Sequence, residues 1–175
     1  MGKRSDFERR KMDFYPTPYK AVKPLFPFLP TNVRYCEPCA GAGDLIKPLQ
    51  SEGHVCTAAY DVDPLVHWIE RHDASFLRKD DLLGASMIIT NPPWERDPLH
   101  QIIDRCAYLA PSWLLFDSDW AYTRQAKPHL LYCHKIVSVG RVKWIEDSNS
   151  AGKDNCSWYL FDGMAKYDGT RFYNV

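Results

Sequence analysis

Two consecutive prolines directly after an apolar run most constrain how this chain folds. Residues 87–90 read Met-Ile-Ile-Thr, a run typical of a buried strand. Pro92 and Pro93 cannot continue that strand, because each lacks an N–H group and has a fixed φ. The chain is therefore predicted to turn at the strand's carboxyl end, which is the edge where open α/β sheets bind ligands.

The turn, Asn91-Pro92-Pro93-Trp94, offers two hydrogen-bond acceptors beside a flat ring. The acceptors are the Asn91 amide oxygen and a main-chain carbonyl outside the sheet ladder, and the ring is the Trp94 indole. A planar substrate with an exocyclic amino group suits this arrangement. A structural Pro-Pro turn with a packing tryptophan is the alternative, and four residues alone leave both interpretations open.

Length and composition indicate one globular domain. The chain has 175 residues, of which 45% are hydrophobic, enough for a core. No apolar run approaches the ~20 residues that span a bilayer, and no secretion signal follows the charged first residues, so we expect no membrane segment. Six cysteines are then interpreted as reduced thiols of a cytoplasmic protein. Equal numbers of basic and acidic residues, 22 each, argue against non-specific adhesion to nucleic acid.

Strand and helix patterns alternate along the sequence, which predicts an α/β fold. Residues 1–13 are predicted to form a basic N-terminal arm, and residues 14–175 a single domain. The predicted strands are 33–36, 55–60, 75–77, 87–90, 113–116, 135–139 and 157–161. The predicted helices are 19–22, 45–53, 64–72, a segment around 99–106, and 119–127. We therefore expect a mostly parallel sheet of seven strands, with helices on both faces and a terminal antiparallel hairpin whose loop, residues 146–155, is flexible.

A glycine turn at residues 41–43 follows the first predicted strand and allows close approach of a ligand to the backbone. The dinucleotide fingerprint needs a third glycine where this chain has Ile46, which argues against a pyrophosphate ligand. Asp61, twenty residues past Gly41, could accept the hydroxyls of a ribose or cap a helix. Asp80 and Asp81 could accept an adenine amino group or form a solvated turn. The pattern favours a nucleoside cofactor without phosphates, of which S-adenosylmethionine is the common example.

Five motifs, in this order, resemble the amino-methylating DNA methyltransferases, in particular small phage or bacterial N6-adenine enzymes. They are Phe14-Tyr15-Pro16-Thr17-Pro18, Glu37-Pro38-Cys39-Ala40-Gly41-Ala42-Gly43, Asp61-Val62-Asp63-Pro64, Asp80-Asp81 and Asn91-Pro92-Pro93-Trp94. The resemblance implies a Rossmann-like methyltransferase sheet in a catalytic domain without a separate target-recognition domain. It also implies methyl transfer from S-adenosylmethionine to the N6 of adenine in DNA.

The resemblance assigns residues to two roles. The implied cofactor-binding residues are Tyr15, Thr17, Pro18, Glu37, Pro38, Gly41, Gly43, Asp61, Asp80, Asp81 and Asn91. The implied catalytic residues are Asn91, Pro92, Pro93 and Trp94. Asparagine at the first position favours adenine, since the cytosine-N4 relatives typically have serine there, whereas tryptophan at the fourth position departs from the usual tyrosine or phenylalanine.

Three residues near the terminal hairpin, Arg141, Lys143 and Trp144, could contact phosphates and a displaced base. Alternatively, their charges could prevent a sheet edge from pairing with another strand. Cys36 and Cys39 form a CxxC pair without a second ligand pair at zinc spacing, so we expect packing and no metal. Three alternatives stay open, namely methylation of an RNA amino group, methylation of a protein glutamine amide, and a cofactor-binding accessory subunit.

Overall fold

The computed structural model describes residues 16–144 and 154–175, which form one sheet of eight strands. The strands are β1 (Arg34–Glu37), β2 (Val55–Asp61), β3 (Glu70–Arg71), β4 (Met87–Thr90), β5 (Ser112–Asp117), β6 (Cys133–Arg141), β7 (Asn155–Phe161) and β8 (Arg171–Tyr173). The predicted arm at residues 1–13, Tyr15 and most of the predicted loop at 146–155 lie outside the described residues.

The order of the strands across the sheet is β3-β2-β1-β4-β5-β7-β6-β8. The first five are parallel neighbours, whereas β7 is antiparallel to both β5 and β6. Because β6 and β5 both oppose β7, they run in the same direction. The carboxyl ends of β1, β2, β4, β5 and β6 therefore lie along one edge of the sheet, where ligands bind in such folds.

The α-helices of the described residues are α1 (Tyr19–Val22), α2 (Ile46–Ser51), α3 (Arg96–Leu109) and α4 (Lys127–Leu130). Two core clusters lie on opposite faces of the sheet, because successive side chains of a strand point to opposite sides. Ile88 of β4 belongs to the cluster that includes α3, and Ile89 belongs to the cluster that includes α1 and α2. None of the described helices is long and apolar enough to cross a membrane.

The predicted α/β class, the mostly parallel sheet and the antiparallel β6–β7 hairpin are confirmed. Strand β4 has the predicted bounds, as does α1. The sheet has one strand more than predicted, because β3 and β8 were not anticipated and the strand predicted at 75–77 does not form.

Three predicted elements are wrong. Residues 64–72 form turns and the two-residue strand β3 instead of a helix. Residues 74–76 are a 3-10 turn, since the Asp73 carboxylate accepts a hydrogen bond from the Ser75 N–H and caps it. The helix predicted at 119–127 is divided into the 3-10 turns Ser118–Tyr122 and Arg124–Ala126 followed by α4. Side-chain caps at Asp117 and Thr123 start the two 3-10 turns separately.

Candidate functional site

A cleft of about 460 Å³ opens at the carboxyl edge, between the ends of β1, β2 and β4 and the first turn of α3. Its volume is within the usual range of small-molecule sites. The polar residues of its lining include Thr17, Glu37, Asp44, Asp61, Asp73 and Asn91. Four of these six were predicted from the sequence, and Asp44 and Asp73 were not.

The glycine turn is held from two sides by the chain itself. The Gly41 N–H donates a hydrogen bond of 2.8 Å to Asp61 Oδ2, which ties the turn to the end of β2. Gly43 has φ +81°, and a Cβ there would lie 2.5 Å from Cη2 and 2.7 Å from Cζ2 of Trp68. Gly43 therefore makes room for the Trp68 ring, which covers the turn.

Carboxylates dominate the polar lining of the cleft. They belong to Glu37, Asp44, Asp61, Asp63, Asp73 and Glu95, and no lysine, arginine or histidine is among the described lining residues. A phosphate group would be repelled here, because the acidic groups outnumber the cations beside them, such as Lys47, which pairs with Asp44 at 3.0 Å, and Arg71, which pairs with Asp63 at 3.1 Å. A ligand with a positive charge would be attracted.

Glu37, at the end of β1, is the most buried of these carboxylates, with 1% of its surface exposed. Its Oε2 atom has no hydrogen-bond partner in the part of the chain that the structure describes. Burial raises the pKa of Glu37 well above its usual value, and the nearby Asp61 and Asp44 carboxylates raise it further. An unpartnered buried carboxyl is costly, so this atom suits a ligand that donates hydrogen bonds or carries positive charge.

The Asn91 amide at the end of β4 has a defined orientation. Its nitrogen donates a hydrogen bond of 3.1 Å to Thr17 Oγ1, and its oxygen accepts one of 3.3 Å from Trp94 Nε1. An amide oxygen has two lone pairs, so Asn91 Oδ1 can accept a second bond from a ligand. Asn91 and Pro93 line the cleft, while Pro92 is buried behind them.

Trp94 joins this turn to the segment after β6. Its ring meets the edge of Trp144, with ring centroids 5.6 Å apart and planes at 88°, a favourable aromatic geometry. Arg141 ends β6 and, like Lys143, is exposed. The structure thus brings the three residues predicted to contact nucleic acid to the same edge as the Asn-Pro-Pro-Trp turn.

Five predicted cofactor residues, namely Pro18, Gly41, Gly43, Asp80 and Asp81, are not among the residues that line the cleft. Asp81 instead accepts a hydrogen bond of 2.6 Å from the Arg78 N–H and lies 3.5 Å from His72 Nε2. Asp73 reaches the cleft in place of Asp80 and Asp81. Asp73 follows strand β3 closely, as Asp61 ends β2, and a carboxylate after a strand can be recognised in a sequence. Strand β3 was not predicted, however, because residues 64–72 show helical spacing. Pro38 lines the cleft, whereas Pro18 precedes α1 and lies outside the lining.

No protein-family model matches this sequence, and no curated protein matches it significantly. Several solved structures share its architecture. A Pyrococcus horikoshii protein proposed to be an RNA methyltransferase superposes with a TM-score of 0.66 at 13% identity, over 91% of this chain and 93% of that chain. The methyltransferase subunit of a type I restriction-modification system from Streptococcus thermophilus superposes with a TM-score of 0.61 at 9% identity. The match covers 92% of this chain but 46% of the subunit.

A TehB-like S-adenosylmethionine-dependent methyltransferase from Corynebacterium glutamicum gives a TM-score of 0.51 at 13% identity, over 82% of this chain and 87% of that chain. At such low identity, the shared property is the fold. The chain has the Rossmann-like fold of these methyltransferases, and it spans about half the length of the restriction-modification subunit.

Proposed function

We propose that this chain is an S-adenosylmethionine-dependent methyltransferase that acts on the exocyclic N6 of adenine in DNA, like the small phage or bacterial enzymes it resembles in motif order. The observation that carries the proposal is the position of Asn91. Asn91 lines a cleft whose other polar side chains are mostly carboxylates, so an acceptor for an amino group adjoins a site for a cationic ligand.

The residues of the cleft suit S-adenosylmethionine. This cofactor has a sulfonium and an ammonium group but no phosphate, which matches a lining of six carboxylates without a basic side chain among the described residues. We assign Glu37 and Asp44 to the cationic end, Asp61 to the ribose hydroxyls and Asp73 to the adenine amino group. When bound, the cofactor supplies a methyl group activated by the sulfonium.

Asn91 would prepare the substrate nitrogen. The N6 lone pair of adenine is delocalised into the ring, so the nitrogen is a poor nucleophile. Accepting its two N–H groups at Asn91 Oδ1 and the Pro92 carbonyl would draw it toward a tetrahedral geometry with its lone pair facing the cleft. Thr17 and Trp94 hold the Asn91 amide in the required orientation, and catalysis depends on this positioning and on electrostatics.

A base in a duplex must leave the stack to reach this turn. Trp94 and Trp144 would supply the aromatic surface that replaces stacking, worth roughly 1–3 kcal/mol per base. Arg141 and Lys143 would contact the phosphates beside the extruded nucleotide.

Two solved structures with this fold point to the polymer substrate. The likeness to the methyltransferase subunit of a restriction-modification system favours DNA. RNA is the second candidate, because the Pyrococcus horikoshii protein proposed to be an RNA methyltransferase matches over nearly the whole of both chains.

Purified protein incubated with methyl-labelled S-adenosylmethionine and either DNA or RNA tests the proposal. We expect label in N6-methyldeoxyadenosine after digestion of the DNA, and roughly a hundredfold to a thousandfold less with the Asn91→Ala variant. Label in RNA alone would establish the second candidate. A wild-type protein that binds the cofactor but labels neither polymer would contradict both.

A further inference from the structure

Glu37 has a property that cofactor binding alone does not require. It is almost fully buried, it faces the cleft, and Oε2 lacks a hydrogen-bond partner in the described part of the chain. Most buried carboxylates in proteins are paired with a cation or accept several hydrogen bonds, because an isolated buried charge is very unfavourable.

The charged and titratable groups that face Glu37 come from every element around it. They are Asp44 in the glycine turn, Asp61 at the end of β2, Tyr35 and Cys36 in β1, Cys39 in the turn, and Cys56 in β2. All of these groups are neutral or negative, so none of them favours the ionised form of Glu37 by its charge. The two aspartates disfavour it, as does burial, and the pKa of Glu37 is raised accordingly.

A cationic ligand reverses this balance. The ammonium group of the proposed cofactor would place a positive charge against Oε2, and an opposite charge within about 4–6 Å favours the ionised form of a carboxyl. Whether Glu37 is more stable protonated or ionised therefore depends on whether a cationic ligand occupies the cleft.

We propose that Glu37 is a neutral carboxylic acid in the empty cleft and releases its proton to solvent when the cationic end of the ligand binds. The ligand's positive charge replaces the proton, so the net charge of the cleft stays nearly constant. This inference rests on the proposed function, and it makes cofactor affinity depend on pH. Release of one proton per bound ligand strengthens binding about tenfold per pH unit below the Glu37 pKa.

Isothermal titration calorimetry of S-adenosylmethionine binding at pH 6 tests the proposal directly. At this pH the ligand's own α-amino group, with an ordinary pKa of about 7.7–8.0, stays protonated and adds no proton of its own. Titrations in two buffers with different ionisation enthalpies give the number of protons released. We expect about one proton for the wild type, none for Glu37→Gln, and the wild-type number for Glu52→Gln, a matched change at an exposed glutamate on the far end of α2.

A second variant covers the case in which Glu37→Gln does not bind. Asp44→Asn keeps Glu37 but removes one of the charges that raise its pKa. We expect the affinity–pH profile of Asp44→Asn to move to lower pH relative to the wild type. Release of about one proton per bound ligand by the wild type, together with this shift of the Asp44→Asn profile, supports the proposal.

Binding without proton release, or equal release from Glu37→Gln, would overturn the inference and leave the proposed function standing. So would an Asp44→Asn profile that does not move to lower pH. A wild-type protein that binds no S-adenosylmethionine would overturn the proposed function and this inference together.

Discussion

The two halves of the carboxyl edge differ in charge and in the way their side chains are held. On the side of β1 and β2 the lining is acidic, and hydrogen bonds such as the one from Gly41 to Asp61 fix it. On the side of β4 and β6 the groups are aromatic and basic, and the Trp94–Trp144 ring contact joins them. Asn91 lies at the border and contacts both sides, through Thr17 and Trp94.

This difference suggests a division of labour along one edge. An acidic half attracts a small cation and repels phosphate, whereas exposed arginine and lysine on the other half attract a polyanion. One edge of the sheet can then offer separate surfaces to a cationic ligand and to a nucleic acid, without the two competing. Substitutions on each side should separate cofactor binding from methyl transfer.

Asn91→Ala should have the largest effect on methyl transfer, because Asn91 contacts both halves of the edge. We expect kcat to fall roughly a hundredfold to a thousandfold, since a transition-state hydrogen bond is lost. Affinity for S-adenosylmethionine should stay nearly unchanged in calorimetry. Asn174→Ala, at an exposed amide outside the cleft, is the matched control and should keep wild-type activity. Equal loss of cofactor binding and transfer would show that Asn91 serves the acidic half instead.

Trp144→Ala should weaken the aromatic half selectively. Loss of one stacking surface corresponds to roughly 1–3 kcal/mol, about 5-fold to 150-fold in kcat/KM for the nucleic acid. The KM for S-adenosylmethionine should not change. Tyr108→Ala removes an exposed aromatic ring near the other end of α3 and should have no effect on either constant. A rise in the cofactor KM with Trp144→Ala would argue against separate halves.

Asp73→Asn and Asp80→Asn compare the structural assignment with the sequence-based one. Asparagine keeps the cap of the 74–76 turn at position 73 but loses the charge that would accept the cofactor's amino group. We expect Asp73→Asn to weaken S-adenosylmethionine binding about tenfold, the value of one hydrogen bond to a charged group. Asp80→Asn should bind normally, and the reverse result would restore the sequence-based assignment.

Glu37→Gln should make the empty protein slightly more stable at neutral pH while impairing cofactor binding. The pKa of Glu37 is raised in the folded state, so the folded chain holds a proton that the unfolded chain has already lost. Wild-type stability therefore declines as pH rises from the unfolded pKa of about 4.3 toward the folded value, whereas the variant lacks this decline. Thermal melts at pH 4 and pH 8 measure it, and a variant less stable than the wild type at pH 8 would contradict the prediction.

Local signals predicted much of the fold and part of the site. The β-branched run of β4 and the two prolines after it determined the bounds of the strand and the position of the turn, because both effects act within a few residues. The alternation of strands and helices gave the α/β class. The carboxylates of Glu37 and Asp61 could be placed because they directly end β1 and β2.

Contacts between distant residues determined what the sequence did not predict. Residues 64–72 have helical spacing, yet the Leu65 N–H donates to the Gly41 carbonyl and Trp68 packs on Gly43. These tertiary contacts outweigh the local periodicity and leave the segment as turns and β3. Asp73 was absent from the predicted site residues for the same reason, since its position beside the cleft depends on that segment.

The Trp68 ring over Gly43 gives the molecule a built-in optical probe. The ring is half exposed and rests against the turn whose partner, Asp61, faces the cleft, so ligand entry that moves the turn would change the emission of this indole. Even a single added methyl group at position 43 would push the ring away, and residues 62–69 would lose their packing contact with the glycine turn. A glycine pattern in such a turn ordinarily indicates room for a ligand. Here the absence of a side chain at Gly43 instead allows one loop to pack on another.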